Sequence, residues 1–331
     1  MPTRRQFIRS AAVATGTVLL SPALKRACAD VPRAGKVEFG IITDIHQDIM
    51  HDGVRRVTAF AEDMNARKAD FVFNLGDFCV PHAHNEPFLK EWNKISGARY
   101  HVLGNHDTDG GFKREQTVEF YGMPARYYSF DRHGIHFIVL DGNDPDGKTT
   151  GYPRSINETQ LKWLGEDLAG TKLPTIICIH QPFDSYEKNL VNAVDVRAIL
   201  TKANQEAGFQ KVLAVFSGHD HLDYVRVSDG VPHIQINSAS YAWTGKKHDT
   251  YPKALIEGHP SVDLTCPYAD PLWAFVTLDF ERGEIHIAGR ETTWVGPDPW
   301  NIGLKADDFQ RNPDLSRPAI SNRIVKIGAT T

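Results

Sequence analysis

Five short apolar runs, each leading into a residue that can bind a metal ion, constrain this chain more than any other feature. The runs are VEFGII, DFVFNL, RYHVL, TIICI and VLAVFS, followed by the motifs TDIH, LGD, GNHD, IHQP and GHDH. They place Asp44 and His46, Asp77, Asn105, His180, and the pair His219 and His221. Short apolar runs bounded by turn residues read as buried strands. Strand ends are rigid, so five of them side by side hold side chains to the tolerance that a metal site demands. Residues two apart on a strand share a face, which predicts that Asp44 and His46 reach one ion together, and His219 and His221 likewise. Gly76, Gly104 and Gly218 each precede a ligand, as expected where backbone turns tightly beside metals. Taken singly these motifs say little, since Gly-Asp is an ordinary turn and a histidine is commonly a surface or satisfied core residue. Their joint order, each behind an apolar run, is what carries the signal.

Between the runs the hydrophobic period shifts toward that of a helix. Val54, Val57, Phe60, Ala61 and Met64 predict a helix over 54–67, and residues 86–95 predict a second. Asn157 caps a third that runs to about 168, and 193–207 reads as a fourth. Segments 127–130 and 135–140 flank a hairpin turn at Asp131-Arg132-His133-Gly134. Later strands at 233–236, 274–280 and 285–289 have no ligand-type ends and are assigned to a second sheet. Stretches 143–156 and 238–272 read as long loops, the latter rich in Tyr, Trp, Lys, His and Pro and suited to substrate recognition. The chain after Trp300 is polar and reads as a loosely packed arm.

The order D-x-H, G-D, G-N-H-D/E, H, G-H-x-H resembles that of the calcineurin-like metallophosphoesterases, over about 37–222. Gln160-x-x-Trp163-Leu164 before TIICI is similar too. The resemblance implies an α/β fold, a four-layer α/β/β/α sandwich of two mixed sheets flanked by helices. It also implies a dinuclear metal centre at the strand ends. Carried over by position, it implies one ion on Asp44, His46, Asp77 and His221, and another on Asp77, Asn105, His180 and His219, with Asp77 bridging. His106 is implied beside the leaving-group oxygen, oriented by Asp107, whose other reading is a helix cap. Purple acid phosphatases carry D-x-G in the first motif and a tyrosine three residues after the bridging aspartate. His46 and Val80 stand at those positions here, which disfavours that branch.

The chemistry of such a centre follows from charge. Two divalent ions outweigh the carboxylates Asp44 and Asp77, so the site attracts phosphate. Water bound to such ions ionises at a pKa of about 7, and ions roughly 3.5–4 Å apart clamp phosphate oxygens during in-line attack. His106 is left to protonate the departing oxygen. Mixed carboxylate, imidazole and amide donors suit manganese, iron, zinc, cobalt and nickel alike. The expected function is hydrolysis of phosphate monoesters or diesters. Hydrolysis of nucleotide pyrophosphates or cyclic nucleotides is the rival within the same chemistry. A non-catalytic binding module on the same fold is the rival outside it, disfavoured because all seven ligands and His106 are kept. A mononuclear metalloprotease is disfavoured by the lack of HExxH.

Composition bounds the rest. The 331 residues are 41% hydrophobic, enough for a large core in one domain, taken as 30–331 with the arm from about 301. Thr3-Arg4-Arg5-Gln6-Phe7-Ile8-Arg9 resembles the twin-arginine export motif. A weakly apolar run and an Ala27-Cys28-Ala29 cleavage box follow it, so residues 1–29 read as a signal peptide. The expected partners are the twin-arginine translocase and a small phosphorylated substrate, and the expected location is periplasmic or secreted. Removing this segment takes away five positive charges and no negative ones, moving the formal charge from −4 to −9. That argues against nucleic acid as a general partner. No window reaches the roughly 18 consecutive apolar residues of a membrane span. Cleavage leaves Cys79, Cys178 and Cys266, an odd number, so at least one thiol is unpaired. Cys79 is set aside as a ligand because the other donors are oxygen and imidazole. His51, His82, His84, Tyr241, Trp243, Lys246 and Lys247 are further candidates for substrate contact, each with a plain surface or packing alternative. Oligomeric state and metal identity stay open.

Overall fold

The computed structural model describes residues 35–184, 189–305 and 316–327. The export segment therefore lies outside the described residues. Two six-stranded mixed sheets form the centre. The first has the order β14-β13-β12-β1-β2-β3, built from β1 (Lys36–Ile42), β2 (Phe71–Asn74), β3 (Ala98–His101), β12 (Ala274–Asp279), β13 (Glu284–Ala288) and β14 (Arg323–Lys326). The second has the order β4-β5-β6-β7-β9-β8, from β4 (Tyr128–Arg132), β5 (Ile135–Val139), β6 (Thr175–Cys178), β7 (Val212–Ser217), β8 (Tyr224–Ser228) and β9 (Val231–Gln235). β1, β2 and β3 run parallel to one another, as do β5, β6, β7 and β9.

Residue alternation on β1 explains how the layers meet. Phe39 faces the second sheet and touches Phe137 and Phe216 at ring separations of 6.0 and 6.1 Å, while stacking on Phe71 at 4.9 Å. Gly40 faces the other way, where a Cβ would meet Met64 Sδ at 2.1 Å, so the missing side chain lets α1 (Gly53–Arg67) lie close against the sheet. α2 (Glu86–Trp92) packs beside α1, with Phe60 stacked on Trp92. On the far side α4 (Glu158–Gly170) and α5 (Ala193–Ala207) bury Leu164, Leu168, Val196 and Leu200 against Ile138, Ile177 and Val215. The four layers are therefore helix, sheet, sheet, helix.

Several expectations are met closely. Asn157 caps α4 by accepting from Gln160 N at 2.9 Å, and His133 and Gly134 turn the β4–β5 hairpin with φ of 50° and 76°. One expectation about placement is wrong. The five ligand-bearing strands are not side by side in one sheet: β1, β2 and β3 belong to the first, β6 and β7 to the second. Nor do the later strands make a separate sheet. β12 pairs antiparallel with β1, and β9 extends the second sheet beside β7. Apolar runs buried on both faces look alike in either sheet, so periodicity cannot assign them.

α3 (Arg114–Tyr121) was not anticipated. The stretch read as loop 238–272 contains β10 (Tyr241–Trp243) paired with β11 (Thr265–Pro267), and α6 (Lys253–Gly258) between them. Much of the polar segment after Trp300 is docked rather than loose. β14 pairs with β13, Ile320 and Ile327 are buried, and the Arg323 guanidinium and Ser321 hydroxyl clasp the Asp223 carboxylate. Among the described residues no helix is long and apolar enough to cross a membrane.

His233 on β9 is a liability built into this core. It is buried in a T-shaped contact with Phe183, and neither ring nitrogen has a hydrogen-bond partner among the described residues. Burial, with Arg197 nearby, pushes it down to about 3. The unfolded chain binds this proton near pH 6.5 and the folded chain only near 3, so stability falls as pH drops through that window. His233→Leu is expected to lose about 3 kcal/mol less stability than wild type between pH 7 and pH 4, read from urea unfolding. Equal losses in the two proteins would refute this.

Candidate metal centre

The loops after β1, β2, β3, β6 and β7 converge at one end of the sandwich. Backbone hydrogen bonds continue past the strands: Asp44 N donates to Gly76 O at 3.0 Å, His46 N to Asp77 O at 2.9 Å, and Gly218 N to His180 O at 3.1 Å. Asp44, His46, Asp77, His219 and His221 all have left-handed backbones, with φ of 52°, 51°, 52°, 75° and 55°. Such residues are held only where surrounding structure over-determines them. The shared direction of Asp44 and His46, and of His219 and His221, thus comes from turns beyond the strand ends and not from the pleat. Glycine permits the crowding. A Cβ on Gly104 would meet Asp77 N at 2.1 Å and Oδ1 at 2.2 Å, and one on Gly218 would meet Thr43 Oγ1 at 2.2 Å.

Donor atoms gather in two groups, Asp44 with His46 and His221, and Asp77 with His180 and His219. His221 Nδ1 donates to Tyr241 O and His180 Nδ1 to Leu75 O, both at 2.8 Å, which aims each Nε2 lone pair inward. His46 Nε2 lies 3.2 Å from His221 Nε2, and His180 Nε2 lies 3.2 Å from His219 Nδ1. Asp77 Oδ2 stands between the groups, 3.6 Å from His46 Nε2 and 3.1 Å from His180 Nε2. Asn105 Oδ1 is buried with no hydrogen-bond partner among the described residues. Converging lone pairs, two buried carboxylates and an orphaned amide oxygen fit two divalent cations, which would satisfy all of them at once.

Electrostatics bears the same mark. Burial alone would raise Asp44, yet His221 and His180 hold it well below the usual carboxylate range. Burial likewise opposes the ionisation of Asp77, and His180 and His106 overcome it, so this carboxylate too is held low. For His180 burial lowers the affinity for a proton, but Asp77 and Asp44 outweigh it and raise the group to about 10. Burial and His180 push His219 down to about 3. The carboxylates demand positive charge here, and a second imidazole answers it from the rim: burial lowers His106, but Asp77 and Asp109 outweigh it and raise the group to about 9.

His106 stands at the rim, its ring 5.1 Å from that of His46 and its backbone N–H donating to Asp77 Oδ1 at 2.8 Å. The expectation that Asp107 orients it is corrected. Asp107 is buried and accepts from Phe78 N and Gly104 N, each at 2.7 Å, and from the Tyr121 hydroxyl at 3.0 Å. Burial and the neighbouring Asp77 push its carboxyl up to about 7. Adjacent residues of a 3-10 turn point different ways, so Asp107 ties the loops after β2 and β3 together from behind. Asp109, three residues after His106, holds the ring instead: His106 Nδ1 lies 2.6 Å from its Oδ2. Tyr152, from the 143–156 stretch, donates to Asp109 Oδ1 at 2.8 Å. Asp109 was legible as i+3 in HDTD, but nothing in the sequence links Tyr152 to it.

Other candidates take plainer roles. Cys79, Cys178 and Cys266 are buried free thiols, and burial with Asp107 raises Cys79 well above its ordinary value. Tyr241 is buried against His46 and His221, whereas Trp243 is 39% exposed beside it. His84 pairs with Asp48 at 2.9 Å, Lys246 Nζ donates to Ile302 O at 2.6 Å, and Lys247 pairs with Asp263 at 3.1 Å. The stretch from 238 on also braces the site, since the Ser238 and Ser240 hydroxyls donate to Asp44 O and Ile45 O at 2.9 and 2.8 Å.

The family described as calcineurin-like phosphoesterase matches residues 37–223. A manganese-dependent ADP-ribose/CDP-alcohol diphosphatase of Arabidopsis thaliana is 25% identical over 275 residues, covering 61% of this chain and 85% of the relative. One of the same name from Oryza sativa subsp. japonica is 24% identical, covering 61% and 83%. Among solved structures, a dimetal phosphatase from Danio rerio (LOC 393393) superposes with a TM-score of 0.56 at 16% identity, covering 78% of this chain and 98% of that one.

The contact at Gly104 generates a direct test. Gly104→Ala sets a methyl group against the Asp77 backbone, which cannot swing aside as a side chain would. The variant is expected to keep its far-ultraviolet circular dichroism, bind fewer than about one ion per chain and lose activity about 100-fold or more. Wild-type metal content by elemental analysis would show that the loops part without disturbing the site.

Proposed function

Since the chain belongs to the calcineurin-like phosphoesterase family, hydrolases of phosphate esters with a dinuclear metal centre, we propose that it cleaves the phosphoanhydride bond of nucleoside-diphosphate conjugates. The two plant relatives named as manganese-dependent ADP-ribose/CDP-alcohol diphosphatases support that substrate class, and manganese as the metal. In this reading Asp44, His46, Asp77 and His221 hold one ion, and Asp77, Asn105, His180 and His219 the other. The observation that carries it is Asp77 set between two imidazole groups, with His106 outside them.

When bound, the ion pair supplies Lewis acidity toward phosphate and a nucleophile at neutral pH. The protein's own residues do the rest. Leu75 O and Tyr241 O fix two imidazoles so that their inward nitrogens need no reorganisation. His106 N–H donates to one oxygen of Asp77 and so holds in one orientation the carboxylate that would bind the ions. The His106 ring gives its Nε2 proton to the departing oxygen. A departing phosphate needs that proton least and an alkoxide most.

Manganese-loaded protein is expected to contain about two ions per chain and to hydrolyse ADP-ribose to AMP and ribose 5-phosphate in preference to simple aryl phosphates. Asp77→Ala should fall below about one ion and lose about 10³-fold or more in rate. Full activity in that variant would end the two-ion reading, and faster turnover of aryl phosphates would end the diphosphatase reading.

We also propose that residues 1–29 export the folded chain through the twin-arginine translocase to the periplasm or beyond. The order of basic, apolar and small-residue segments supports this. Changing Arg4 and Arg5 together to Lys should leave the protein in the cytoplasmic fraction of its host. Undiminished periplasmic activity would count against this route.

A further inference from the structure

The helices on the second sheet enclose a trough far from the metal centre. It runs between α4 and the second half of α5 and has a volume of about 870 Å³. Leu173 and Lys211 border it and directly precede β6 and β7, whose other ends lead to His180 and His219. The length of β7 alone puts roughly 20 Å between the two places. Gly165, Leu168, Ala169, Ile199, Ala203 and Ala207 line the trough, and none has a polar side-chain atom. Gly165 stands in mid-helix, where glycine costs stability relative to alanine. Close packing of the helices does not require it, since a Cβ there would meet only Ile199 Cγ2, at 4.0 Å. The missing side chain keeps the trough open. A concavity of this size, apolar with a few placed polar groups, has the character of a small-molecule site.

Charge is placed unevenly around this apolar lining. Glu166 and Glu206 are each met by a lysine one turn away, Lys162 and Lys202, at 3.7 Å. Among the described residues, Lys172 and Lys211 have no carboxylate within ion-pair distance. Asp167 and Glu206 bear on Lys211 only from further off, and Asp167 is itself engaged by His136 and Ser129. Lys211 is buried and donates to Leu168 O and Thr171 O, which leaves one of its three N–H groups over. The net positive charge of the trough therefore lies at one end, by the C-terminus of α4. We propose that the trough is a second, non-catalytic binding site for an unbranched alkyl chain with one anionic headgroup, such as a fatty-acid carboxylate. The alkyl chain lies along the apolar lining, and the headgroup meets Lys172 and the remaining N–H of Lys211. Such a chain brings no polar atoms that need partners. A peptide is a poorer fit, because packed helices bond their backbone groups internally and leave its N–H and C=O groups unanswered. The apolar run at 11–20 of this chain is a poorer fit too, flanked as it is by Arg9, Lys25 and Arg26, which these lysines repel.

The full-length protein would be titrated calorimetrically with dodecanoate below its micelle concentration, with dodecylammonium and hexanoate as controls. About one dodecanoate per chain is expected, with a Kd on the order of 10 μM and binding of either control at least about tenfold weaker. Gly165→Leu puts a good helix former into the trough. It is expected to keep its circular dichroism and its hydrolase activity while weakening dodecanoate about tenfold or more. Lys172→Glu should weaken dodecanoate about 3- to 10-fold and narrow the preference over dodecylammonium. Dodecanoate binding that ignores Gly165→Leu would be general adsorption of a surfactant and would overturn the proposal. Absence of saturable binding, or preference for the cation, would do the same. If Gly165→Leu loses its fold, amide shifts of the wild type on adding dodecanoate decide the matter. Shifts centred on Gly165, Ala169 and Ala203 support the site, and shifts centred elsewhere refute it. A wild-type dimer that Gly165→Leu separates in analytical ultracentrifugation, with no dodecanoate bound, would assign the trough to a second copy of the chain and end the proposal.

Discussion

The contact on which the rest of the site depends is the seating of Gly104 against the backbone of Asp77. Because no side chain intervenes there, the loops after β2 and β3 lie near enough for one buried residue to join them. Asp107 does so, accepting one backbone N–H from each loop. The join sets Asp77 between the imidazole groups and brings His106 N–H onto its other oxygen. The second sheet then needs only to present His180, His219 and His221 across the seam. A buried carboxyl with two backbone donors and a tyrosine hydroxyl is stable where it is, and removing it would leave those donors unpaired.

Much of this was legible in the residues. The five apolar runs with polar ends gave the strands and the reaction class, the structure brings the candidate ligands at their ends together, and 193–207 is helical to the residue. The allocation of strands between sheets was not legible. Pairing of Phe39 with Val276 joins parts of the chain too far apart for any local pattern to record. The geometry at the ligands was reached for the wrong reason. A period of two suggested a pleated strand, but Asp44 and His46 sit in left-handed turns that happen to give the same shared direction.

Asp107 and Asp109 show how a motif can mislead about roles. Proximity in sequence favoured Asp107 as the partner of His106, yet neighbours on a tight turn diverge, and the residue one turn later returns. Asp107 acts on the scaffold and Asp109 on the ring. Tyr152 has no sequence signal because its position depends on loop ties at Ser155 and Asn192, which are made by tertiary packing.

The clasp on Asp223 has a consequence for the order in which the molecule is made. Synthesis runs from the N-terminus, and all seven ligand candidates have been added by residue 221. β1, which leads to two of them, still lacks its neighbour β12, and Arg323 has yet to reach Asp223, two residues beyond His221. For roughly the last third of translation the chain therefore holds every donor atom and an unfinished frame. In such a nascent chain the candidate ligands sit in turns beyond strands whose sheet is still open at β1, where an ion arriving early would meet flexible donors and not the finished geometry.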